Sequence, residues 1–309
     1  MLPSTVFPGT VRFTGHRGPV YILCPEARPG RFLSGSGDGS VVRWNIHEPG
    51  TGTIVAKAGR AIFAMHHPRP QALYLGDEDG GLHVVDLERR EEVQLVKAHA
   101  KGLFALASLP DGRLVTAGGD GEISVWLPRE GGTLPVRRQR SIPLTDEKVR
   151  SLAPSLDGTL LTVACGDGRI HILDTAELNE QFTLPGHEIG ANSLAWHPDK
   201  PVLVSGGKDG HIRLWHAGDG FRPLHAFPAH KDAIYQIAFS PNGALLASAG
   251  RDKTAKLWDA ATFGPIRRLD RHHGGHGYSV NTVAWLDDRP LLTASDDKSI
   301  VAWEVAPQG

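Results

Sequence analysis

The segment Ala229–Asp259 reads AHKDAIYQIAFSPNGALLASAGRDKTAKLWD. It holds His230, Ser248 and Asp252, the three side-chain types of a nucleophilic triad. Such a set is either the centre of a hydrolase or a structural device built from the same groups. A hydrolase needs one exposed nucleophile beside an oxyanion hole.

The segment repeats. GHRGPVYILCPEARPGRFLSGSGDGSVVRW ends at Trp44, AHAKGLFALASLPDGRLVTAGGDGEISVW at Trp126, and GHEIGANSLAWHPDKPVLVSGGKDGHIRLW at Trp215. The opening copy has its tryptophan at Trp258, and GHGYSVNTVAWLDDRPLLTASDDKSIVAW ends at Trp303. Two worn copies fill the gaps, with Val85 and Leu173 in place of tryptophan. The steps between these seven end points are 41, 41, 47, 42, 43 and 45 residues. A period near 40–45 with a GH…WD signature marks WD40 repeats, and the chain resembles that family over nearly its whole length.

Within each unit, alternating apolar runs are separated by turn residues. AIYQIAF, ALLASAG, TAKLWD and GPIRRLD read as four antiparallel strands joined by SPNG and RD turns. Seven such units predict an all-β, seven-bladed propeller, one domain over residues 1–309. The seventh copy ends too early to supply its own outer strand. TVRF, Thr10–Phe13, precedes His16 as the outer strand of another unit precedes His230, so it is expected to complete the last blade.

The spacing also decides the triad question. His16, Ser34, Asp38 and Trp44 recur as His99, Thr116, Asp120 and Trp126, and as His187, Ser205, Asp209 and Trp215. They recur again as His230, Ser248, Asp252 and Trp258, and as His276, Thr293, Asp297 and Trp303. Five copies, two with threonine for serine, argue against a single nucleophile. The resemblance implies a buried tetrad in which the indole donates to the hydroxyl, the hydroxyl to the histidine and the histidine to the aspartate. Lys57 and Thr145 take the histidine place in blades two and four, which are therefore expected to be the softer blades.

The bulk properties bound the function. Among 309 residues, 33 Lys and Arg against 34 Asp and Glu leave a formal charge of −1. That balance gives no general pull toward nucleic acid or an anionic membrane. No stretch approaches the ~20 apolar residues of a membrane span, and MLPSTVFPGTVRF lacks the pattern of a signal peptide. Cys24 and Cys165 form no CxxC motif, which points to a reducing, cytoplasmic setting, or a nuclear one in a eukaryote. No GxxxxGK[ST] motif is present, and no cofactor is expected. His272 and His273 in RHHGGHG, and the pair His66–His67, read as loop residues, with metal binding as the alternative. LPVRRQRSIP, with Arg137, Arg138 and Arg140, reads as a solvated loop or a contact for an acidic partner. Trp196 and Trp285 read as core between blades.

In the WD40 family, partners commonly dock where the histidine and aspartate turns emerge. Carried over, the fifth place after the histidine gives Tyr21, Ile62, Phe104, Arg150, Asn192, Tyr235 and Asn281. The third place includes Arg60 and Lys148; the place before the aspartate includes Glu78, Lys208, Arg251 and Asp296. This mixture of aromatic and basic residues suits an interface. The expected function is a non-catalytic scaffold, monomeric by itself, that binds a protein or peptide. A propeller enzyme or channel ligand-binder, and a nucleic-acid-associated adaptor, are the alternatives.

Overall fold

The computed structural model describes residues 9–128, 134–287 and 289–305. Its 28 strands form seven antiparallel sheets of four. The inner strands are β2 (Val20–Pro25), β6 (Ile62–Arg69), β10 (Leu103–Ser108), β14 (Val149–Pro154), β18 (Ala191–Trp196), β22 (Ile234–Phe239) and β26 (Val280–Trp285). They lie side by side around a channel, and β26 closes against β2. Blade six shows the sequence logic: β22 is followed by β23 (Leu245–Gly250), β24 (Ala255–Asp259) and β25 (Pro265–Leu269), the four runs read above. Both faces of the middle strands are covered by neighbouring blades. Hence β23 is buried at every position, as near-continuous apolar runs require.

Ring closure follows the sequence expectation. β1 (Thr10–Phe13) pairs with β28 (Ile300–Trp303), from Thr10 opposite Trp303 to Phe13 opposite Ile300. Phe13 is fully buried, 5.2 Å edge-on to Phe32 and 5.6 Å from the Trp44 ring. The first strand of the chain therefore joins blade seven to blade one through apolar packing as well as through its ladder. Trp196 and Trp285 also do more than fill space. Their indoles donate across the blade boundary to the carbonyls of Ala153 (3.2 Å) and Ala238 (3.1 Å).

The arginine-rich stretch is a strand rather than a loop. β13 (Val136–Pro143) is the outer strand of blade three. Arg138 lies 4.8 Å over the Trp126 ring and donates to the Lys97 and Ala98 carbonyls, while Arg140 donates to the Glu177 carbonyl. Arg137 is exposed.

Candidate functional site: the mouth of the central channel

Four of the five hydroxyl–histidine–aspartate sets close from the hydroxyl through to the aspartate, and the fifth closes from the hydroxyl to the histidine. In blade six, Trp258 Nε1 donates to Ser248 Oγ at 2.9 Å, Ser248 Oγ lies 2.7 Å from His230 Nε2, and His230 Nδ1 is 3.0 Å from Asp252. The corresponding histidine–aspartate distances are 3.0 Å for His99–Asp120, 2.9 Å for His187–Asp209 and 2.9 Å for His276–Asp297. Blade one is looser: His16 Nδ1 stands 3.4 Å from Asp38 and 3.2 Å from Ser40 Oγ. The hydroxyl residues Ser34, Thr116, Ser205, Ser248 and Thr293 are fully buried. A hydroxyl sealed in the core and holding an indole cannot meet a substrate, so these sets are structural. The packing is close: a Cβ at Gly118 or Gly207 would lie 2.3 and 2.2 Å from the His99 and His187 rings.

Blades two and four carry a substitute that the sequence reading missed. Their hydroxyl places hold Leu75 and Val163, and opposite these stand His83 and His171. His83 Nδ1 is 2.5 Å from Glu92 and His171 Nδ1 is 2.7 Å from Glu180. The signal was the shared spacing of nine residues in HVVDLERREE and HILDTAELNE. In blade two the other ring nitrogen of His83 reaches Asp77 at 3.0 Å. In blade four Cys165 holds the place of Asp77, and His171 Nε2 is buried without a partner among the described residues. Thr145 does stand at the histidine place of blade four, donating to Asp167 at 3.1 Å.

A second repeated geometry lies in the inner strands. In every blade the pairing of the first two strands slips by one residue at the start of the inner strand. The residue left over by this bulge is Tyr21, Phe63, Phe104, Arg150, Asn192, Tyr235 or Asn281. A bulge breaks the ladder and re-aims one side chain, and all seven line a single cavity of about 720 Å³ at the channel mouth. Six of these residues are those carried over by spacing. In blade two the expected Ile62 is wrong. The connection from β5 (Thr53–Lys57) to β6 is one residue shorter than that from β9 (Glu91–Lys97) to β10. Lys57 is therefore a strand residue paired with Ser40, Ile62 is fully buried in the core, and Phe63 faces the mouth. Arg60 shifts likewise: Ala61 is the true third place, its carbonyl accepting from Glu78 as Gly102 accepts from Gly119.

The mouth is polarised. Tyr21, Phe63 and Phe104 form an aromatic shelf, with ring centroids 5.2 Å apart for Tyr21–Phe63 and 5.6 Å for the stacked Phe63–Phe104 pair. The Arg150 guanidinium lies 4.7 Å over Phe104, and Lys148 Nζ 5.8 Å from the same ring. Across the opening, Asn281 donates to Asp296 at 2.8 Å and to the Val20 carbonyl at 3.1 Å. Asn192 is 5% exposed and ties blade five to blade six through the Ile234 carbonyl at 2.8 Å, so it serves structure first. Burial, helped by the charges of Asp296 and Glu78, pushes the Tyr21 phenol up. Burial also raises the Tyr235 phenol. Two of the predicted cations are already paired on the rim: Arg60 with Asp79 at 3.0 Å and Arg251 with Asp232 at 3.7 Å.

Against profiles of known families, six stretches match the WD domain, G-beta repeat: residues 9–45, 90–126, 138–174, 178–216, 221–259 and 265–304. The chain belongs to the WD40 family. The gap between the first two matches falls on blade two, where the tetrad is replaced by Asp77, His83 and Glu92. This WD40 chain is 28% identical over 173 residues to the Ribosome biogenesis protein erb1 of Neurospora crassa, covering 51% of this chain and 22% of that protein. It is 24% identical over 298 residues to the 66 kDa stress protein of Physarum polycephalum, covering 94% and 47%. It is 31% identical over 136 residues to THO complex subunit 6 of Homo sapiens, covering 41% and 39%. The chain thus matches less than half the length of each of these relatives.

Among the described residues no helix is long and apolar enough to cross a membrane, and no group of three His, Cys, Asp or Glu could hold a metal. His273 Nδ1 is instead 2.9 Å from Asp270, and His66 Nε2 lies 2.8 Å from Ser108 of the next blade.

Proposed function

We propose that this WD40 propeller is a non-catalytic scaffold that binds a protein or peptide at the channel mouth and holds it in a larger complex. The ring of seven bulge residues carries the reading. It turns an aromatic shelf, two phenols and a guanidinium outward from a rigid frame. Large aromatic and arginine side chains are the residue types that dominate interface energetics, and a preformed surface binds with little reorganisation. The names of two relatives, a ribosome biogenesis protein and a complex subunit, fit an assembly role.

The test compares proteins captured from the native host by the wild type, by Phe63→Ala, by Tyr235→Ala and by Arg137→Glu. The expected result is a set of proteins lost with both mouth variants and kept with Arg137→Glu, with losses of about 2 kcal/mol or more per hot spot. The same set retained by both mouth variants and lost with Arg137→Glu would move the site to the outer edge of blade three.

A further inference from the structure

Among the described mouth cations, Arg150 and Lys148 of blade four and Lys208 of blade five have no carboxylate partner, and the blade-four pair is the one that lies against the aromatic shelf. Arg150 and Lys148 both lie against Phe104, yet among the described residues neither is paired with a carboxylate. Arg60 and Arg251, by contrast, already have theirs. Stacking occupies only the face of the Arg150 guanidinium. Arg150 itself lines the cavity, and a guanidinium stacked by its face still has N–H groups that can fork onto a carboxylate. Burial lowers the Arg150 pKa, the mark of a cation that has lost water without gaining a counter-charge. Beside it, Phe63 and Tyr21 offer an apolar surface.

We propose that the mouth selects an extended peptide in which an aspartate or glutamate adjoins an aromatic or aliphatic side chain, the carboxylate on Arg150 and the apolar group on Phe63. The inference rests on the mouth being a peptide site and names the chemistry it selects. Asp296 on the opposite wall repels a carboxylate placed the wrong way round, which fixes the direction of the segment. The same charge pattern disfavours nucleic acid. A polyanion needs a track of cations, whereas this rim alternates them with Glu78, Asp79, Asp232 and Asp296.

The probe is an array of random heptapeptides, acetylated and amidated so that only side chains carry charge. Bound peptides are expected to share an acidic residue next to Phe, Tyr, Trp, Leu or Ile. In the strongest of them, changing that Glu to Gln or Asp to Asn is expected to weaken binding about tenfold or more. Arg150→Gln is expected to bind both versions alike, and the exposed Lys148→Gln to lose part of the preference with an unchanged melting temperature. Peptides bound without acidic preference, yet lost in Phe63→Ala, would overturn this inference and leave the mouth reading intact. No bound peptide, or binding indifferent to Phe63→Ala, would overturn both. A labelled single-stranded RNA that binds and is released by Arg150→Gln would assign these cations to phosphate instead.

Discussion

At the residue scale, four of the tetrad histidines shift the same way. Burial lowers the pKa of His16, His99, His187 and His230 from 6.5, outweighing the attraction of their aspartates. His66 is pushed down to about 4 by burial and by the charge of His67. Below pH 6.5 the unfolded chain takes up protons that these folded histidines refuse, so stability is full above that point and falls with acidification. The carboxylates add to this lower down. Burial favours the neutral form of Asp38, but hydrogen bonds from Ser40 and the Arg17 amide outweigh it and hold the group at about 2. The urea midpoint is therefore expected to fall steadily between pH 7 and pH 4, and a flat profile over that range would mean that the histidines protonate freely in the folded state. A second prediction concerns Asp252→Ala. It removes the acceptor of the buried His230 N–H and is expected to cost about 1–3 kcal/mol in urea unfolding. Binding at the mouth should persist; a binding defect without a stability loss would give the tetrad a functional role. These tetrads were legible because a fixed spacing of hydroxyl, aspartate and tryptophan repeats five times. Phe63 was not, because a loop one residue shorter leaves no mark in the sequence once the histidine that anchors the count is gone.

Single elements carry unequal loads. β1 seals blade seven with a fully buried Phe13 and with Arg12, which donates to Ser299 and to the carbonyls of Gly274 and Gly275. Phe13→Ala is expected to cost about 3–5 kcal/mol, and removal of residues 1–13 to lower the melting temperature and broaden the size-exclusion peak. Unchanged melting and a sharp peak would show that the ring does not depend on this strand. Blade two and blade four separate at this scale. His83 is satisfied on both ring nitrogens, whereas His171 keeps one unpaired. Hydrogen exchange is therefore expected to show the amides of β15 (Leu160–Cys165) and β16 (Ile170–Asp174) opening before those of β7 (Ala72–Asp77) and β8 (Gly81–Asp86). The strands themselves were readable from alternation and turns, except in the LPVRRQRSIP stretch, which pairs with β12 (Glu122–Pro128) instead of forming a loop. Polar residues facing solvent made an outer strand resemble a loop.

Over the whole molecule, architecture and mouth have different origins. The number of blades follows from seven end points at near-equal intervals, and the packing of β26 against β2 makes those blades a ring. The chemistry that the mouth presents is set by one bulge residue per blade, and those seven are free to differ because none is needed for the ladder. This freedom explains why repeats similar enough to be counted present Tyr, Phe, Phe, Arg, Asn, Tyr and Asn at one structural place. It also predicts that Phe104→Ala weakens binding by about 2 kcal/mol while leaving the urea midpoint within the error of the wild type. A large stability loss would make Phe104 a core residue instead.

The pairing of Thr10 with Trp303 joins residues from opposite ends of the chain, while every other ladder joins near neighbours in sequence. Closing so long a loop costs about 0.6 kcal/mol for each doubling in length over the hairpins, a few kcal/mol in all. Contacts of this separation form late. A ring not yet closed is an open arc whose last strand, Ile300–Trp303, has an unpaired edge. Two such arcs can exchange β1 strands, each completing the other's seventh blade, and refolding at high protein concentration is the condition that favours the swapped dimer.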